Sequence, residues 1–259
     1  MINTIALHKL SKLRNSKLLL IFFIAAAFIC LLFVAPMVVT AALAGGKVSG
    51  SEALAIYFYA INFVGHAAAL IIGATCWRSD LRDGTILTFA ARPLSRLSLF
   101  FGKVIGCIYA VLLYFAVALA FFAIIDVLAF SYIPPLPFYL YLLQQILSIV
   151  VTFAVVLFLS NFFNPVLAVV LAVVYFLIGG IGSLLASLSF GFWHILGVSI
   201  EAISISRSLS YSPIALLSAD VGSLTPLWNA IGYYALWIMA LVAASALLFE
   251  RRELLIKRS

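Results

Sequence analysis

The sequence predicts an all-α integral membrane protein with six transmembrane helices, on three observations. Of its 259 residues 66% are hydrophobic and only 9% charged, where soluble domains run to about a quarter charged; the mean hydropathy is +1.28. Apolar runs of about 20 residues or more, the length a ~30 Å hydrocarbon core demands, recur along the chain. Thirteen of the fifteen Lys and Arg residues fall on segments that alternate to one side of those runs, the bias expected of cytoplasmic loops.

Residues 1–17 place Ile2, Ile5, Leu10 and Leu13 near one helical face, with Lys9, Lys12, Arg14 and Lys17 mostly elsewhere. This pattern suits an amphipathic helix in the cytoplasmic interface, or a plain basic topology anchor. Residues 18–259 then form one six-span domain. The first span is expected near Leu18–Ala42, with a kink at Pro36. It is too long for a signal-peptide core and lacks a small-x-small cleavage site, so it reads as a permanent span. The second is expected near Ala53–Cys76, the third near Ser98–Ile125 and the fourth near Phe138–Ser160. An uncharged inner turn, Asn161–Pro165, leads to the fifth near Val166–Leu188, and the sixth lies near Asn229–Phe249. Both termini are then cytoplasmic. Residues 189–228 tempt a seventh span, but Glu201 and His194 would be costly in lipid, a mid-bilayer charge costing about 2.5–3.5 kcal/mol. A seventh span would also export the basic tail. The segment is therefore expected as interfacial or re-entrant helices on the outer side. No internal repeat is visible between the two halves.

One stretch breaks the apolar pattern. Trp77–Lys103 holds seven charged residues, Arg78, Asp80, Arg82, Asp83, Arg92, Arg96 and Lys103. Ser79 is placed to cap a short helix, with Asp80 and Asp83 in a first turn where negative charge suits the helix dipole. Ile86, Leu87, Phe89 and Ala90 supply an apolar side. Pro93 ends that helix and opens the next. Residues 78–98 thus read as a cytoplasmic elbow, either a solvated loop or a docking surface.

The string D-x-x-x-G-T-I-x-x-x-x-A-R-P-L-S-R-x-x-x-x-x-G-K in this elbow resembles the segment after the second span of ABC (ATP-binding cassette) type-2 transporter permeases. Asp80, Gly84, Thr85, Arg92, Pro93, Ser95, Arg96, Gly102 and Lys103 match in order and spacing. Asp80 stands where that family more often has Glu, a shorter reach to the same partner. The motif covers about a tenth of the chain, and the span layout extends the likeness over most of it. The resemblance implies the membrane subunit of an exporter in a bacterial-type inner membrane. A separate ATP-binding subunit would bind the ATP and Mg and dock on Asp80, Asp83, Gly84, Thr85, Arg92, Pro93, Ser95, Arg96 and Lys103. It also implies a second permease chain, identical or related, facing the first across the path.

The chain itself has no G-x-x-x-x-G-K-[ST] string, no His-Glu-x-x-His and no Gly-x-Ser-x-Gly, so no catalytic role, bound cofactor or metal is expected of it. Cys30, Cys76 and Cys107 are isolated and read as packing residues. The net charge of +7 sits at the edges of apolar runs, which argues for topology and anionic lipid contact rather than nucleic acid. Within the spans, Asn62 and His66 lie four apart on one face, either lining a pathway or bonding between helices. Gln144 and Gln145, and Gly179, Gly180 and Gly182, read as packing. Two other functions stand beside this one. A stand-alone secondary transporter or channel would need intramembrane charge for coupling, and the spans have almost none. A non-transporting membrane anchor that recruits an ATPase is indistinguishable by residues.

Overall fold

A computed structural model describes residues 2–15, 17, 20–29, 31–32, 50–76, 95–130, 133, 135–188, 191–205 and 225–251. These form eight helices and, among the described residues, no strand. They are α1 (Ile2–Asn15), α2 (Leu20–Ile29), α3 (Gly50–Thr75), α4 (Arg96–Phe130), α5 (Leu136–Ser160), α6 (Pro165–Ala186), α7 (Gly191–Ile203) and α8 (Thr225–Arg251). Five of them, α3, α4, α5, α6 and α8, are long and apolar enough to cross a membrane. The chain is an integral membrane protein built from helices. The expected first span is represented by α2, short of membrane length over the residues described.

The helix ends follow local chemistry. Lys17 adopts a left-handed φ of 59°, and its N–H donates to the Arg14 carbonyl at 3.1 Å, the usual way a chain leaves a helix C-terminus. Pro135 and Pro137 open α5, where a missing N–H is harmless. The uncharged turn after α5 is built by two asparagines. Asn161 donates its side-chain amide to Leu157 O at 3.1 Å, and Asn164 Oδ1 accepts from Leu167 N at 2.8 Å, capping α6 ahead of Pro165. Replacing Asn164 by Ala should cost about 1 kcal/mol of thermal stability in detergent, with Asn161 unaffected.

The core lies where α3 crosses α4 and α5. Small residues set the approach, as expected where helices associate without a hydrophobic drive. A Cβ on Gly65 would stand 2.8 Å from Ile149 Cδ1, and one on Gly73 would stand 3.0 Å from Phe153 O. Phe58 packs its ring 5.4 Å from both Phe138 and Tyr141. Gln144 is buried and accepts from Gln145 Nε2 at 3.1 Å. Of the α6 glycines, Gly179 and Gly182 are buried, while Gly180 faces open space.

The segment that tempted a seventh span contains α7, 13 residues long, or about 20 Å, too short to cross. It folds back on α6: His194 Nδ1–H donates to Ala186 O at 2.8 Å, and Gly197 lies directly against the backbone of Leu185 and Ala186. Phe192, Trp193, Ile195 and Val198 of α7 and Val166, Leu177 and Leu184 of α6 stay exposed within this chain, an arrangement that suits lipid as the solvent. Residues 206–224 lie outside those described.

Candidate functional site

Helix α4 has 35 residues, about 52 Å at 1.5 Å per residue, well beyond the ~30 Å of a hydrocarbon core. Its companion α3 ends at Thr75, and Cys76 just beyond it stands beside Cys107 of α4, with the two Sγ atoms 3.3 Å apart. Cys107 is eleven residues into α4, so the first ~16 Å of α4 runs past the end of α3. That overhang begins at the charged elbow.

Most of the elbow, including Asp80, Asp83, Gly84, Thr85, Arg92 and Pro93, lies outside the described residues. Its exit is defined. Ser95 Oγ accepts from Ser98 N at 3.2 Å and shares a 2.7 Å bond with Ser98 Oγ, so Ser95 is the N-cap of α4 and Arg96 its first residue. The Arg96 side chain is outside those described. Lys103 is only 3% exposed, held inside this chain.

Helix α1 is laid along the overhang. It buries Ile5, Ala6, Lys9 and Leu13, and α4 receives them on two glycines one turn apart. A Cβ on Gly102 would lie 2.8 Å from Ile5 Cβ, and a Cβ on Gly106 would lie 2.6 Å from Ala6 O and 2.9 Å from Lys9 Cβ. Lys9 departs from the amphipathic reading, which set it away from Ile5 and Leu13. It is 4% exposed, and its ammonium donates to Cys76 O at 3.1 Å, a cation at the negative end of α3. Ile2, grouped with Ile5 and Leu13 on one helical face, is 37% exposed. The far end of α8 joins the same cluster, Phe249 lying 5.6 Å from Phe100. Both ends of the elbow are therefore fastened. The entry is held at Cys76 by Lys9, and the exit runs through Ser95 into the α1–α4 pair.

Deeper in the bundle, α3, α5, α6 and α8 surround a cavity of about 340 Å³. His66, Ser148, Thr152 and Tyr234 are its polar lining, set among Leu70, Val151, Val173, Phe176, Leu177 and Ile205. Thr152 donates its hydroxyl to Ser148 O at 3.1 Å, so its lone pairs accept from His66 Nδ1, 2.9 Å away. With Nδ1 as the donor, the free acceptor of the imidazole is Nε2. Ile205 closes one side. Its N–H donates to Tyr175 Oη at 2.8 Å, and Tyr233 Oη donates to the preceding Ser204 O at 3.2 Å. The end of α7 is thus tied to both α6 and α8. Asn62, paired with His66 on sequence grounds, is not part of this lining; it donates to Phe58 O on its own helix at 3.0 Å, with Oδ1 buried and unpartnered.

Three features escaped the sequence reading. The G-x-x-x-G spacing of Gly102 and Gly106 was present to be seen, but its partner is α1, almost a hundred residues away. Thr152 is an unremarkable hydroxyl in an apolar run, and only the fold brings it to His66. Tyr175 and Tyr233 lie within the expected fifth and sixth spans, and nothing in the sequence marks them as ties for Ile205 and Ser204.

No curated protein matches the chain. The family model described as "ABC-2 family transporter protein" matches residues 9–179, about two thirds of the chain, from Lys9 through the elbow and the His66 cavity into α6. The chain belongs to the ABC-2 family of transporter proteins, as a membrane-embedded permease.

Proposed function

We propose that this chain is the transmembrane subunit of an ABC-2 exporter, with six spans and both termini in the cytoplasm, driven by a separate ATP-binding subunit that docks on residues 78–98. A second permease chain faces it across the path, and the ATP and Mg belong to the partner. The observation that carries this reading is the fastening of both elbow ends. A load applied to a loose loop would dissipate. Here it passes through Cys76 and Lys9 into α3, and through Ser95, Gly102 and Gly106 into α4 and α1. The placement of thirteen of the fifteen Lys and Arg supports the orientation.

The same load path reaches the cavity. Tyr114 of α4 donates to Ile61 O of α3 at 3.4 Å, a contact through which α4 bears on α3 while the two remain separate helices. Displacement of α3 then shifts His66 against Thr152 on α5. Among the described residues the cavity lining includes no Asp, Glu, Lys or Arg, which favours an uncharged, largely apolar cargo and disfavours ion-coupled transport.

Recovery of the tagged chain in mild detergent, beside an Arg92→Glu/Arg96→Glu variant, tests the docking. An ATPase with a Walker A motif is expected with the native chain and lost with the variant, at equal membrane levels. Its retention by the variant would remove the elbow from the interface. For the cavity, Thr152→Val should leave ATPase recovery intact and weaken the His66 contact by about 1 kcal/mol. The expected signature is transport altered several-fold without loss of assembly. Unchanged transport would take His66 and Thr152 out of the pathway.

A further inference from the structure

Cys76 and Cys107 were expected as separate packing residues, yet the fold sets their sulfurs 3.3 Å apart, each wholly buried, on two different helices. An S–S bond is about 2.05 Å long, so closing it asks for a relative movement of about 1 Å. The pair joins the end of α3 to α4 at the level where Lys9 already meets Cys76 O. We propose that Cys76 and Cys107 are a thiol oxidation site, forming a reversible intramolecular disulfide with a small hydroperoxide as oxidant, and that this bond fixes α3 to α4 at the elbow end.

Burial selects the oxidant. With no exposed sulfur, bulky disulfides and azo reagents are excluded, while hydrogen peroxide is uncharged and close to water in size. One cysteine, as thiolate, attacks the peroxide oxygen and becomes a sulfenic acid, the O–O bond breaking and the leaving hydroxide taking up a proton as water. The second thiol then attacks that sulfur, the S–S bond forms and a second water leaves. Two thiols and one peroxide thus give one disulfide and two waters. A small thiol that reaches the junction reverses it by exchange, through a mixed disulfide. The bond itself needs nothing from the exporter reading, but its consequence rests on that reading. A covalent tie across the α3–α4 junction removes the freedom through which the elbow would move the two spans.

The test uses the full chain in its native membranes with its partners. After hydrogen peroxide, removal of the excess, denaturation in the presence of N-ethylmaleimide and digestion, mass spectrometry should find the Cys76 and Cys107 peptides joined and lighter by two hydrogens than their reduced sum. Dithiothreitol should reverse this, and Cys76→Ser and Cys107→Ala should each remove it. Recovery of both cysteines alkylated, at a dose that oxidises other membrane thiols, would overturn the proposal, as would linkage only to Cys30. In the copurified complex, ATP hydrolysis should fall about tenfold on oxidation if helix movement gates turnover, and should not change in a Cys76→Ala/Cys107→Ala variant. A linked peptide with undiminished hydrolysis would overturn the mechanical consequence. A complex with no ATP hydrolysis before peroxide would instead overturn the exporter reading, and the linked peptide would still decide the bond.

Discussion

Gly106→Leu should detach α1 from the bundle. The Cβ alone would stand 2.6 Å from Ala6 O, 2.9 Å from Lys9 Cβ and 3.0 Å from Ala6 Cα. Two of those atoms are backbone, so no side-chain rotation relieves the clash and the whole of α1 must shift. The remaining leucine carbons deepen the overlap. Overpacking of this kind costs about 1–3 kcal/mol, and 2 kcal/mol is about a 30-fold change in the balance between docked and undocked α1. The readout is trypsin cleavage of the chain in detergent near Arg14, which is exposed. The rate should rise by that order, with loss of transport. Gly180→Ala is the control. Nothing lies within 4 Å of a Cβ there, so it should be neutral or stabilise the helix by up to about 1 kcal/mol. Equal protection of α1 in wild type and Gly106→Leu would mean that the α1–α4 contact does not hold.

The fold was legible where composition and breakers act locally. The bounds of α3, α5, α6 and α8 fall within a few residues of the expected spans, because Pro137, Pro165 and the asparagines around Pro165 mark helix ends by their own chemistry. Helix α4 ran past its expected outer end to Phe130, since Asp126 alone does not stop a helix whose neighbours are all apolar. The site was legible only in part. An amphipathic reading assigns every lysine to solvent, so it could not foresee Lys9 turning inward. That placement exists because Cys76 O waits at the end of another helix, 67 residues on. His66 was singled out as polar in an apolar run, and its partner Thr152 lies 86 residues away. Periodicity carries no information at that range.

Lys9→Glu should be the most damaging single change on the buried face of α1. The lysine stem fills space against Gly106, and the ammonium satisfies Cys76 O where α3 presents the negative end of its dipole. A carboxylate there has no proton to donate and faces a carbonyl in a site 4% exposed. Replacing a buried, bonded charge by one left uncompensated costs about 3–5 kcal/mol. Lys9→Met separates the contributions. It keeps an apolar stem of similar length and loses the donor alone, for about 1–2 kcal/mol. Arg14→Gln, on the exposed side, should stay within about 0.5 kcal/mol. Thermal unfolding in detergent should therefore rank wild type and Arg14→Gln together, then Lys9→Met, then Lys9→Glu. The order matters more than the sizes. If Lys9→Glu unfolded with Arg14→Gln, α1 would be a helix resting on the interface by its charge. The expected order makes it part of the fastening at both ends of the elbow, and a load delivered there would reach α3, α4 and α1 together.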